Sequence, residues 1–248
     1  MRVGVSLFAL LVLTAGATPA GSVPAVNISW DNCTGPTDRK LQQGQPASIY
    51  ASVLGHNRPH KAYQVQLRLY STTGVYPDAW RFELGGCEGP THLIMDHLAP
   101  AEVAAACPSF QGTLPSFQLK DFTYDPSSGR AHTFVACAYP NGGLGNTQQV
   151  NPATRYFLAR WSFDGVLWAE GSTVPGVTCG RVEASMCISS SSLTNNAASW
   201  VDLTDTEIAF GFQNEAISVL SLGGGTYGCP FGSPAVNQTW GQIKGQYR

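Results

Sequence analysis

His56 and His60, in "HNRPH", stand four residues apart, the spacing with which one face of a helix can ligate a metal ion. Pro59 falls inside that spacing and Gly55 precedes it, so the stretch reads as a loop carrying solvated imidazoles. His92, Asp96 and His97 in "THLIMDHL" form a second cluster. On a strand His92 and Asp96 share a face and His97 does not, and no third ligand accompanies them. Glu83, Asp121, Asp125, Asp164 and Glu170 could supply the carboxylate pair of a glycoside hydrolase, but acids so far apart in sequence cannot be paired from spacing. Trp80, Trp161, Trp168, Trp200 and Trp240 could form an aromatic platform for sugars. Of these, Trp161 falls on an apolar strand face and reads as core, whereas Trp168 and Trp240 read as exposed. No Gly-x-Ser-x-Gly elbow and no His-Glu-x-x-His occurs, so neither a serine hydrolase nor a zinc protease has its signature. The residues assign no catalytic, cofactor-binding or metal role.

The elements that must position these residues belong to an exported chain. Residues 1–20, "MRVGVSLFALLVLTAGATPA", read as a signal peptide: Arg2 is the positive start, Ser6 to Leu13 the apolar core, and Ala15-Gly16-Ala17 a small-x-small cleavage pattern. That apolar run is well short of the ~20 residues that span a bilayer, and no span is expected in the mature chain. Removing Arg2 leaves 13 Lys and Arg against 16 Asp and Glu, a net charge of -3, so there is no basic excess for nucleic acid. Charged residues make up 12% of the chain against a typical ~25%. Such a surface must be covered by Ser, Thr, Gln, Asn and Gly, which suits an extracellular β protein. Seven cysteines are odd in number, so at least one thiol is free or intermolecular. Cys179 and Cys187 are close enough for a local bridge, while the partners of Cys33, Cys87, Cys107, Cys137 and Cys229 are left open. No Cys-x-x-Cys suggests zinc. Sequons stand at Asn27, Asn32 and Asn237; a Ser/Thr-rich chain makes such triplets by chance, and the expectation is that they are unused.

Period-two alternation is the dominant pattern. "AYQVQLRLY" (62–70) places Val65, Leu67 and Leu69 on one side, and "RYFLARWSF" (155–163) places Phe157, Ala159, Trp161 and Phe163 on one side. Further strands are expected at 25–30, 47–54, 116–124, 130–139 and 216–222, with a bulge at Asp121, where the apolar phase slips. Asp125 to Gly129 reads as a hairpin turn. A short helix is expected in "APAEVAAAC" (99–107), while 203–212 is ambiguous between strand and helix. The expected core includes Val65, Leu67, Leu69, Phe134, Phe157, Trp161, Phe163 and Val219. Many short strands with almost no helix argue an all-β chain: a single β-sandwich or jelly roll over 21–222, a Gly/Pro-rich linker over 223–238, and an aromatic-basic segment over 239–248.

In that last segment, "TWGQIKGQYR", Thr239 and Gln242 match a capping box. Trp240, Ile243 and Tyr247 share a helical stripe, and Lys244 and Arg248 suit a helix C-terminus. Gly241 and Gly245 each cost up to ~1 kcal/mol, and so short a helix is not stable alone. It frays, or it orders by burying its stripe, either on its own sandwich or, as a docking or sorting tail, on another chain or the export machinery.

The stretches "VNISWDNC" (26–33), "PDAWRFELGGC" (77–87), "YFLARWSFDG" (156–165), "CGRVEASMCISSSSLT" (179–194) and "TWGQIKGQYR" together resemble a group of secreted bacterial proteins of uncharacterised role, with a cohesin-like β-sandwich and similar aromatic-basic ends. The resemblance implies a jelly-roll sandwich that binds a partner module; no binding residue is carried over from it. The expected function is therefore a secreted or cell-surface, non-catalytic sandwich for recognition, adhesion or envelope structure. Its expected partner is another extracellular protein or a glycan. The alternative is a carbohydrate-binding module or glycoside hydrolase. The candidate interaction residues are Trp168, Trp240, Ile243, Lys244, Tyr247 and Arg248.

Overall fold

The computed structural model describes residues 24–41, 45–71, 76–110, 117–138, 150–163, 185–189, 198–214 and 216–220. Expectations for the signal peptide, the linker, residues 239–248, Trp168, Asp164, Glu170 and Cys179 lie outside the described residues.

Among the described residues, thirteen strands make up two sheets. The first has the order β12-β1-β3-β8-β5, from Gly211–Asn214, Ala25–Trp30, Ala47–Leu54, Tyr156–Phe163 and Leu93–Asp96. The second centres on β4 (Ala62–Ser71). One edge of β4 pairs along its length with β7 (Arg130–Ala138), which pairs with β6 (Phe117–Asp125). Its other edge is shared between β10 (Ala198–Val201) at one end and β9 (Ser185–Ser189) at the other. The short strand β11 (Glu207–Ala209) continues beyond β10. Strands β13 (Ala216–Leu220) and β2 (Asp38–Lys40) continue beyond β9.

The two sheets close on one core. Alternation sends Val26, Ile28 and Trp30 of β1 and Ile49, Ala51 and Val53 of β3 against Tyr63, Val65, Leu67 and Leu69 of β4. Two polar side chains reach across the core and are satisfied there: Tyr63 Oη donates to the Leu158 carbonyl at 2.9 Å, and Trp161 Nε1 donates to Thr133 Oγ1 at 3.0 Å. Buried indole and phenol groups need such partners, so these bonds also fix how the sheets face each other.

The expected sandwich and the seven strands read from sequence are present, along with the hairpin turn at Asp125. Three details differ. First, β3 and β8 slip by one residue, pairing Ala51 with Ala159 but Ser52 with Phe157. The extra residue, Leu158, joins the central core, and Phe157 turns to the outer side of the sheet. Second, β6 has no bulge at Asp121, since its register with β7 is continuous from Phe117 to Asp125. The apolar phase breaks there because Leu119 is exposed while Lys120 turns inward and donates to the Met95 carbonyl. Third, Phe134 is half-buried on the outer face of β7, and its neighbours Thr133 and Val135 point into the core. The Val219 side chain lies outside the described residues.

Residues 203–212 resolve the ambiguity as strand: β11 and the start of β12, entered through a turn with Asp205 at φ 67°. The expected helix is one turn, Ala101–Ala104, entered from Pro100.

Candidate functional site

The histidine loop is not solvated. Gly55, at φ 85°, turns the chain at the end of β3, and its N–H donates to the Pro152 carbonyl at 3.1 Å. At the other end of the loop, the Lys61 N–H donates to Val201 at 2.9 Å. The turn tucks both rings under the end of the sandwich. His56 is fully buried, with its ring 4.7 Å from Trp200 and 4.8 Å from Phe110. His60 stacks on Phe110 at 3.9 Å and meets His56 edge-on at 5.1 Å. Burial among aromatics disfavours the imidazolium and pulls His56 down to about 4. His60 falls to about 3, by burial first and then by the neighbouring His56. These are neutral core rings.

The second histidine cluster is also dispersed. His92 closes a 3-10 turn, Pro90–His92, ahead of β5. Asp96 is held by Arg160, whose Nη2 lies at 2.6 Å. His97 is buried, and burial lowers its pKa, with the Lys120 charge adding to the effect. No group of three metal-ligating side chains forms among the described residues.

The carboxylates play structural parts. Glu83 accepts from Arg81 Nε at 2.7 Å. Asp125 caps its own hairpin through the Ser127 N–H and hydroxyl, and those bonds hold its carboxyl below the usual range. Asp121 lies exposed on β6, accepting from Thr123. The aromatic platform is absent among the described residues, because Trp30, Trp80, Trp161 and Trp200 are all fully buried.

One outer face of the sandwich is covered by its own chain. Residues 97–110 cross the outside of β3 and β8, where Val103 and Cys107 pack with Tyr50, Phe157 and Cys33 in a second small core. A disulfide between Cys33 and Cys107 fastens this strap to the turn after β1. That turn is closed by Trp30 N–H to Pro36 O at 2.9 Å, and a Cβ on Gly35 would stand 1.7 Å from the Trp30 carbonyl oxygen. Glycine is therefore required for the turn to deliver Cys33. Further along, Phe110 N–H donates to Phe157 O, and Phe157 N–H to Pro108 O, both at 2.8 Å. Arg160 ties the strap at Glu102, 3.0 Å away. Sequence reasoning left Cys33 and Cys107 open, since 74 residues separate them. Cys87 is also disulfide-bonded, to a partner outside the described side chains, and Cys137 is a free, buried thiol. The expected Cys179–Cys187 bridge is not described, since Cys179 and the side chain of Cys187 lie outside the described residues.

The other outer face differs in character. Across the paired strands β7, β4 and β10, the residues Phe134, Ala136 and Ala138, then Gln64 and Gln66, then Ser199 and Val201 alternate with core positions and so point outward. A shallow depression of about 220 Å³ lies here, lined by Ala62, Gln64, Ala136, Ala138, Ser199 and Glu207 among others. Its polar groups are ordered: Gln64 Nε2 donates to Ser199 Oγ at 3.1 Å, and Ser199 Oγ donates to Glu207 Oε1 at 2.6 Å. Small side chains and preset amide and hydroxyl groups can receive a protruding side chain. None of them forms a nucleophile–base pair.

Comparison with family models and with curated proteins gave no match. Solved structures similar to this chain are cohesin modules. One is the second type II module of an adaptor scaffoldin from Acetivibrio cellulolyticus, at 10% identity and TM-score 0.40, covering 80% of this chain and 94% of that one. Another is a cohesin solved in a type I cohesin–dockerin complex from Clostridium thermocellum, at 9% identity and TM-score 0.37, covering 83% and 99%. A third is a cohesin module from a Clostridium perfringens family 33 glycoside hydrolase, at 10% identity and TM-score 0.38, covering 80% and 96%.

Proposed function

We propose that this chain is an exported, non-catalytic recognition module that binds another extracellular protein through the outer face of its eight-stranded sheet. The carrying observation is the contrast between its two outer faces. The five-stranded sheet is roofed by residues 97–110 and their disulfide, whereas β7, β4 and β10 present a depression that no strap of the described residues covers, with small apolar side chains and prearranged polar groups. Preorganised polar groups around an apolar centre suit protein recognition, because little is spent ordering them on binding. The Cys33–Cys107 disulfide fits an oxidising compartment, in keeping with the signal peptide read from residues 1–20.

Mature protein immobilised and exposed to the culture fluid of its own source tests this reading. Capture of a defined partner that fails with Ala136→Arg, while Glu102→Lys on the roofed face still captures it, is the expected result. A parallel glycan array is expected to be blank. Saturable sugar binding lost on Trp168→Ala would replace the protein partner with a carbohydrate.

A further inference from the structure

The two sheets meet at one edge, where β5 of the first sheet abuts β6 of the second. Lys120 of β6 donates to the Met95 carbonyl of β5, and Thr133 Oγ1 lies 3.2 Å from Met95 Sδ. The loop after the 3-10 turn Asp78–Trp80 plugs the same seam. Phe82 packs on Phe122 of β6 and on Phe163 of β8, and Arg81 lies over the Tyr124 ring at 4.9 Å.

This seam carries every large apolar side chain that is exposed among the described residues. Leu84, two residues beyond Phe82, is 92% exposed; Ile94 of β5 is 58% exposed and Leu119 of β6 46%; Leu98 follows β5 by two residues. Leu84 is not on a loose loop. Gly86 N–H donates to Glu83 O at 2.8 Å, Glu88 N–H donates to Arg81 O at 3.0 Å, and Cys87 is tied by a disulfide. A braced loop that holds a leucine in water, with two more aliphatic side chains exposed on the abutting strands β5 and β6, has the form of a contact surface. Its rim is acidic: Arg81 is shared by Asp78 and Glu83, and Arg160 by Asp96 and Glu102, so each guanidinium faces two carboxylates.

The occupant that fits is an apolar stripe bearing cations. Residues 239–248 have one, with Trp240, Ile243 and Tyr247 beside Lys244 and Arg248. The connection over 221–238 can extend roughly 60 Å at about 3.3 Å per residue, enough to reach the seam from the end of β13. Three or four aliphatic side chains fall far short of the ~1,200–2,000 Å² of a stable complex between separate proteins. Such a patch suits a tethered segment, whose effective concentration is in the millimolar range. We propose that residues 239–248 seat intramolecularly on the β5–β6 seam, with the aromatic stripe on Leu84, Ile94 and Leu119 and the cations toward the paired carboxylates. Leu119 pairs with Ala136 across β6 and β7 and so borders the depression proposed above for partner binding; the Lys244→Glu/Arg248→Glu variant, which leaves the sandwich untouched, keeps the two ideas distinguishable.

Hydrogen–deuterium exchange of the full mature chain is the test. The amides of 240–247 are expected to exchange at least tenfold more slowly than an unstructured chain, at a rate independent of protein concentration. That protection should vanish in Ile94→Asp/Leu119→Asp and in Lys244→Glu/Arg248→Glu, while the β4 and β7 amides stay protected in both. The second variant leaves the sandwich untouched and decides the matter if the first fails to fold. Unprotected 240–247 amides in the native chain, protection that survives both variants, or protection that grows with concentration would each overturn the proposal.

Discussion

His56 and His60 lie among Phe110, Trp200 and Phe210, with the Arg58 charge nearby, and both are neutral there. Above pH 6.5 they are neutral folded and unfolded alike, so they make stability no more pH-dependent. As pH falls through 6.5 the unfolded chain takes up protons that the folded chain refuses. Stability is then lost progressively down to about pH 4 for His56 and about pH 3 for His60. For His56 alone the loss is on the order of 3 kcal/mol. Urea midpoints should therefore fall between pH 6.5 and 4, and His56→Phe/His60→Phe should flatten that fall; an unchanged slope would return the rings to solvent. Trp161, the largest residue of β8 and bonded to Thr133, should cost about 3–5 kcal/mol as Trp161→Ala, read as a drop in the urea midpoint. Trp161 was legible because its strand alternates. The histidines were not, since their surroundings come from Phe110, Trp200 and Phe210, remote in sequence, and the flanking Gly55 and Pro59 signal only a turn.

At the scale of elements, strands such as β4, β7 and the β6–β7 hairpin were readable because one face is buried and the other wet, so period two survives in the sequence. Strand β8 shows the limit. Its residues 156–159 are buried on both sides, centrally and beneath the strap, so nothing in the sequence marks the slip that sends Phe157 outward. The strands β2, β5, β9 and β10, three to five residues each, were also missed, being too short for a pattern to register. The strap itself depends on the Cys33–Cys107 bridge more than on its single helical turn, which cannot hold alone. Cys107→Ser is expected to cost about 2–4 kcal/mol and to open 97–110 to limited proteolysis. Native resistance to protease in that variant would show that Val103 and the Arg160 ion pairs suffice.

For the whole molecule, the five-stranded sheet carries its own strap, whereas no strap of the described residues crosses the outer face of β7, β4 and β10, and this difference gives the sandwich the direction on which the proposed function rests. The all-β class and the single sandwich were legible from turn punctuation and alternation. The direction was not, because it rests on a disulfide across 74 residues and on the register of β7, β4 and β10. The most direct test is the dissociation constant for the captured partner, measured by calorimetry on three proteins of equal melting temperature. Ala136→Arg, in the depression, should weaken binding at least 100-fold, whereas Glu102→Lys, on the strap, should leave it within about twofold of the native chain. The reverse ranking would place recognition on the roofed face and contradict the account.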